Sequence, residues 1–142
     1  MKNKIKLFLV DDDAVFLKSL EIEFMDHADF VIETYPTGEL CIQNLSHSPD
    51  VIILDYFLDG IDKNAMNGIA TLDKIKAYNQ DIPVVMLSSQ DKIEVAVNCM
   101  HHRAFDYVVK SETAFTRLQN IITTIFSYQK MQKTLNWYMD RI

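Results

Sequence analysis

Four consecutive aliphatic residues, Val51 to Leu54, are followed directly by the carboxylate of Asp55. A short run that is apolar at every position is typical of a strand buried on both faces, as in a parallel sheet covered by helices. The acid would then lie at the carboxyl end of the strand, where open α/β sheets bind ligands. Taken alone, Asp55 could equally end a strand in a turn.

Strand and helix patterns alternate along the chain. Strands are predicted over residues 4–10, 30–35, 51–54, 83–87 and 105–109. Helices are predicted from the cap Asp13 to about His27, over 39–45, from the cap Asn67 to about Tyr78, over 91–102, and from the cap Ser111 as far as Ile142. The alternation predicts an α/β fold with a doubly wound, five-stranded parallel sheet and helices on both faces.

Polar side chains follow several of these strands, namely Asp11, Asp12, Asp55, Ser88 and Lys110. Because the carboxyl ends of parallel strands share one edge of the sheet, we expect these side chains to converge. Three close carboxylates repel one another, and a divalent cation would relieve that repulsion. Mg²⁺ is the expected ion, since it takes oxygen ligands and is usually held by carboxylates together with a phosphate.

The same residues can perform phosphoryl transfer. An aspartyl carboxylate such as Asp55 can act as a nucleophile and form an acyl phosphate. Ser88 can donate a hydrogen bond to a phosphoryl oxygen, and Lys110 can meet another oxygen as a point charge. Positioning and charge neutralisation of this kind are what phosphoryl transfer requires.

Composition excludes several other classes of protein. The 142 residues are 49% hydrophobic and carry a net charge of −6, which predicts one globular domain and no direct nucleic-acid partner. Cys41 and Cys99 lack the spacing of metal ligands and are predicted to be free thiols in a reducing cytoplasm. No apolar run has transmembrane length, so no membrane partner is expected.

With these residues in place, the chain resembles a response-regulator receiver domain of two-component signalling, similar to the chemotaxis regulators. The resemblance covers about the first 125 residues and implies a flavodoxin-like fold with sheet order 2-1-3-4-5. It divides the chain into a receiver domain over 1–127 and a C-terminal helical extension over 128–142. It implies a sensor histidine kinase or phosphotransfer protein as partner. No enzymatic activity is implied beyond self-catalysed phosphotransfer and dephosphorylation.

The resemblance also assigns roles to individual positions. Asp11 and Asp12 match the family's acidic pair and Asp55 its phosphorylated aspartate, while Phe57 would offer a backbone carbonyl to the metal. The implied Mg²⁺ ligands are therefore Asp11, Asp12, Asp55 and Phe57. The implied catalytic set is Asp55, Ser88 and Lys110, and the implied switch residues are Ser88 and Tyr107.

The chain departs from the family pattern at several positions. Asp59 replaces the usual proline after the phosphorylated aspartate, and the loop before Gly68 is several residues longer than usual. Ser111 replaces the proline after Lys110. Arg103 stands where glycine is common.

Two other functions are compatible with parts of the sequence. Residues 11–15 (Asp-Asp-Asp-Ala-Val) fit the nucleophile motif of haloacid-dehalogenase-type phosphatases, with Asp11 as nucleophile, but that class needs a later acidic pair. Beyond Lys110 the only acids are Glu112 and Asp140. A receiver that is not phosphorylated and serves only as a binding module is the second alternative.

The last predicted helix carries an apolar seam. Its residues recur at spacings of four and three, as in a heptad repeat: Ile121, Ile125, Tyr128, Gln132, Leu135, Met139 and Ile142. Beyond about Ser127 the helix should extend past the domain. We expect this extension either to pack against a second chain, in a homodimer through the fourth helix, the fifth strand and the C-terminal helix, or to lead into an output domain.

Overall fold

The computed structural model describes residues 4–27 and 29–141. Its strands are β1 (Ile5–Val10), β2 (Phe30–Tyr35), β3 (Val51–Asp55), β4 (Val84–Ser88) and β5 (Asp106–Val109). Its helices are α1 (Ala14–Met25), α2 (Gly38–Gln43), α3 (Gly68–Tyr78), α4 (Ile93–His101) and α5 (Ala114–Met139), with a short 3₁₀ helix over Leu45–His47. The predicted α/β alternation is confirmed.

The five strands form one parallel sheet in the order β2-β1-β3-β4-β5. Helices cover both faces, so β3 is buried along its whole length. Alternate residues of β3 enter opposite cores: Val51 and Ile53 contribute to one, and Ile52 and Leu54 to the other. The apolar run from Val51 to Leu54 is therefore part of a central strand with two buried faces.

Two predicted helix caps are confirmed. The Asp13 carboxylate accepts hydrogen bonds from the backbone N–H groups of Val15 and Phe16 at 3.1 Å each. The Asn67 side chain accepts one from Ala70 N–H at 2.8 Å. These caps fix the starts of α1 and α3, the helices that follow the two strands at the centre of the predicted site.

Other predicted boundaries require correction. Ser111 does not cap α5: Thr113 precedes the helix, without a side-chain capping bond, and the two hydroxyls lie 3.1 Å apart. α1 ends at Met25 and α4 begins at Ile93, each two residues inside the prediction. α5 ends at Met139, and Ile142 lies outside the described residues. α5 runs without interruption through residues 127 and 128, and the division there into a receiver domain and a helical extension stays a prediction.

None of the helices in the described part of the chain combines the length and the apolarity needed to cross a membrane.

Candidate functional site

Three carboxylates meet at the carboxyl ends of β1 and β3. Asp11 and Asp12 follow β1 directly, and Asp55 is the last residue of β3. One oxygen from each of the three lies within 4.8 Å of the others. Asp11 and Asp55 are almost fully buried, at 2% and 3% exposure. The convergence predicted from the strand ends is confirmed, and it falls between neighbouring strands β1 and β3, where the strand order reverses.

Lys110 brings a cation to these acids. Its ammonium lies 2.8 Å from Asp11 Oδ2 and 3.6 Å from Asp55 Oδ2. The backbone N–H of Lys110 donates to Ser88 O at 2.7 Å, which continues the pairing of β5 with β4. The ammonium also lies 4.6 Å from the centre of the Phe16 ring. Strand pairing and this ring contact hold the lysine over the two buried carboxylates.

The electrostatics of the cluster follow from burial. Loss of solvent and the charge of Asp11 raise the pKa of Asp55 from 3.8 to about 8, and Lys110 offsets only part of this. Burial disfavours the Lys110 ammonium, but its close contact with the Asp11 carboxylate and the charges of Asp55, Asp11 and Asp13 outweigh this effect, so the pKa of Lys110 is raised. One lysine therefore does not balance the negative charge of the cluster when Asp55 is ionised.

Backbone N–H groups fix the orientation of each carboxylate. Asp13 donates to Asp11 Oδ1 at 2.9 Å, and Phe57 donates to Asp55 Oδ1 at 3.3 Å. Ile61, in the long loop after β3, donates to Asp12 Oδ2 at 3.3 Å. The loop thus folds back over the site. The contact from Ile61 could not be predicted from the sequence, because the length of a loop does not specify where the loop returns.

Ser88 and Tyr107 are connected through Gln90. The buried Ser88 hydroxyl accepts a hydrogen bond from Gln90 N–H at 3.0 Å, and the Tyr107 hydroxyl donates to Gln90 O. The sequence did not indicate that Gln90 links the two predicted switch residues, because Gln90 contributes only its backbone N–H and C=O groups to these hydrogen bonds. Phe57 follows the cluster with its ring 40% exposed and edge-on to Tyr56, so its side chain is not part of the cluster.

The response regulator receiver domain family matches residues 7–123 of the chain. The chain belongs to this family. Receiver domains are the phosphoryl-accepting modules of two-component signalling, and the β2-β1-β3-β4-β5 sheet with its cluster of three aspartates agrees with that assignment. The match favours the receiver over the haloacid-dehalogenase alternative.

Individual relatives support the same assignment. A protein-glutamate methylesterase/protein-glutamine glutaminase from Clostridium acetobutylicum is 35% identical over an alignment of 117 residues, which covers 79% of this chain and 32% of that protein. The chain thus spans about a third of the length of this curated relative.

Solved receiver structures share the fold. The crystal structure of NtrX from Brucella abortus superposes with a TM-score of 0.81 at 24% identity, over 96% of this chain and 30% of that one. A chain in the CheX–CheY–BeF3–Mg²⁺ complex from Borrelia burgdorferi superposes with a TM-score of 0.72 at 24% identity, over 86% of this chain and 90% of that one.

Proposed function

We propose that Asp55 accepts a phosphoryl group from the phosphohistidine of a sensor histidine kinase or phosphotransfer protein. The observation that carries this proposal is the position of the Asp55 carboxylate, buried beside Asp11 and Asp12 and 3.6 Å from the Lys110 ammonium. In the transfer, an Asp55 oxygen bonds to phosphorus while the phosphorus–nitrogen bond of the donor breaks and its imidazole leaves. Water later attacks phosphorus, releases inorganic phosphate and restores the carboxylate.

The donor set of the cluster fits Mg²⁺. Three carboxylates supply hard oxygen ligands within reach of one ion, and buried Asp11 Oδ2 accepts no well-aligned hydrogen bond although Lys110 lies near it. Asp12, Asp55 and the Phe57 carbonyl would hold the ion, with Asp11 assisting through water. Bound there, Mg²⁺ would supply positive charge beside the transferred group. The Borrelia CheX–CheY complex contains BeF3 and Mg²⁺, which supports binding of Mg²⁺ beside the phosphorylated aspartate here.

Ser88 and Lys110 would hold the oxygens of the phosphorylated Asp55. Ser88 now accepts from Gln90 N–H, and its own hydroxyl hydrogen can turn towards a phosphoryl oxygen. Because Tyr107 bonds to the carbonyl of the same Gln90, a displacement of Ser88 would also displace Tyr107. Ser88 and Tyr107 would thereby act as the switch, favouring one of two conformations of the β4–β5 face.

The output of the switch would be a protein contact. Four apolar side chains of α4 and the residue before β5 are 41–76% exposed: Ile93, Val97, Met100 and Phe105. Together with α5 they form the surface through which we propose homodimerisation.

The buried thiols of Cys41 and Cys99 are unpaired, which is compatible with a cytoplasmic setting.

The test is intact-protein mass after incubation with acetyl phosphate, with and without Mg²⁺. Wild type should gain one phosphoryl group only when Mg²⁺ is present, and Asp55→Asn should gain none. Asp59→Asn is the matched control, because it removes a carboxylate from the adjacent loop and should be phosphorylated like wild type. Absence of any adduct on wild type would instead favour the binding module that is not phosphorylated.

A further inference from the structure

A second concave site lies at the opposite end of the sheet from the carboxylates. It is a groove of about 860 Å³ where Pro83 and Phe105 lead into β4 and β5, beside the middle of α5. None of its lining residues belongs to the aspartate cluster. Its volume falls in the range of roughly 300–1,000 Å³ typical of small-molecule sites. The groove is therefore a separate site, and what it binds can be inferred independently of phosphorylation.

One wall of the groove is apolar. Phe105 is 41% exposed and Tyr128 is 65% exposed, so each presents ring surface to solvent. Behind them, Ala104 and Ile125 are buried and close the floor. Such a surface favours an aromatic or aliphatic group, because its burial removes apolar area from water.

The charged residues of the groove are mainly basic. Lys76, Arg103 and Lys133 line it together with a single acid, Asp81. Among the described residues, none of the three bases forms an ion pair with a carboxylate. In a chain with a net charge of −6, this local excess of positive charge is complementary to an anion.

Lys76 is the buried member of this basic group. It is 8% exposed, and its ammonium donates to Ile82 O at 2.7 Å and to Gln80 O at 3.2 Å. An ammonium has three donors, so one remains for a ligand. Burial and the nearby charge of Arg103 lower the pKa of Lys76, and Asp81 only partly opposes them. The repulsion between the two bases is thus only partly relieved by Asp81.

The structure assigns this groove to a small organic anion with an apolar body. A carboxylate, phosphate or sulfonate head would lie among Lys76, Arg103 and Lys133, and the planar guanidinium could bind it through two parallel hydrogen bonds. The aromatic or aliphatic body would pack on Phe105 and Tyr128. No kinase, metal or phosphorylated aspartate is needed for this binding.

The probe is 8-anilinonaphthalene-1-sulfonate, compared with its uncharged analogue N-phenyl-1-naphthylamine. Both are titrated into ¹⁵N-labelled full-length protein, and amide shifts locate the bound probe. The sulfonate should give saturable shifts at residues 80–82, 103–105 and 128–133, and the neutral analogue should bind at least about tenfold more weakly. Sulfonate shifts confined to other residues, or equal affinity for the two probes, would overturn the proposal.

The variant Arg103→Gly/Lys133→Gln tests the basic residues. Both positions are exposed and glycine suits the left-handed backbone of residue 103, so the variant should fold. We expect it to bind the sulfonate about tenfold more weakly, and Lys74→Gln, an exposed lysine outside the groove, to bind like wild type. Unchanged affinity in the double variant would contradict the assignment. So would shifts at residues 80–82 and 103–104 on raising the concentration of probe-free protein, since a second copy would then fill the basic part of the groove.

Discussion

At the scale of single residues, the burial of the aspartate cluster should make the free energy of unfolding depend on pH. The pKa of Asp55 is raised from 3.8 to about 8 by burial and by Asp11. Between these two pH values the native state holds a proton that the unfolded chain has released. The free energy of unfolding therefore falls as pH rises, because deprotonation favours the unfolded chain.

We therefore expect Asp55→Asn, which removes this ionisation, to be stabilised relative to wild type as pH rises from about 4 to 8 in the presence of a chelator. The gain should be at least about 1 kcal/mol, the equivalent of one pKa unit. Urea denaturation at several pH values measures it. Asp59→Asn should follow the wild-type profile, and parallel profiles for Asp55→Asn and wild type would show that Asp55 ionises normally.

Arg103, which stands where glycine is common in the family, carries backbone strain. It occupies the position after the C-cap of α4 with φ of 71°, a left-handed conformation that favours glycine. The N–H of Arg103 donates to Met100 O at 3.0 Å and that of Ala104 to Cys99 O at 3.1 Å, the hydrogen bonds of a Schellman motif. The glycine common at this point in the family is thus explained by the geometry of the helix end.

Arg103→Gly should accordingly raise the free energy of unfolding by about 1 kcal/mol, since glycine adopts this conformation without steric cost. Arg103→Ala is the matched control, because alanine loses the same charge and keeps the Cβ that causes the strain. Chemical denaturation of both variants distinguishes the two effects. Equal stabilisation by alanine and glycine would attribute the gain to lost repulsion with Lys76 instead.

At the scale of elements, the packing of α3 against the end of β3 depends on Gly68. A Cβ at this position would lie 2.5 Å from Asp55 O and 2.6 Å from Tyr56 O. Both contacts are with backbone, so the start of α3 or the end of β3 must move. We expect Gly68→Ala to lower the free energy of unfolding by about 1–3 kcal/mol and to slow phosphorylation, because the displaced backbone carries Asp55.

Gly60→Ala supplies the comparison for Gly68. Its Cβ would meet one atom, the side-chain oxygen Asp12 Oδ2, at 3.3 Å. The Asp12 carboxylate can move by the few tenths of an ångström that this contact requires, so the loss of stability should be smaller than for Gly68→Ala. Thermal denaturation and the rate of acetyl phosphate labelling measure both variants. A Gly68→Ala protein as stable and as reactive as wild type would show that the element junction tolerates the shift.

The elements also show which parts of the fold sequence can predict. Strand ends were predictable because a buried run must stop where polar residues begin, as β3 does at Asp55. The caps Asp13 and Asn67 were predictable because the side chain of each bonds to the first turn of its own helix. The contact between Ile61 and Asp12 and the anion groove could not be predicted, because each joins segments that lie far apart in the chain.

At the scale of the whole molecule, α5 leaves the domain with an apolar surface. Up to Ile125 it packs into one of the two cores, and from residue 130 to residue 141 every position is exposed. Six large apolar side chains of this extension are 51–71% exposed: Tyr128, Met131, Leu135, Trp137, Tyr138 and Met139. Contiguous apolar surface of this kind is typical of an interaction site. The heptad spacing favours a second copy of the same helix.

The heptad seam predicts which apolar residues matter for self-association. Leu135 lies on the seam and Trp137 lies off it, yet they are similarly exposed, at 55% and 51%. In sedimentation equilibrium, wild type should therefore dimerise and Leu135→Glu should weaken the dimer by at least about tenfold, because a charge would be buried at the seam. Trp137→Glu should dimerise like wild type. Equal loss in both variants would indicate association through the whole apolar surface, and a wild-type monomer at every concentration would leave the extension to a different partner.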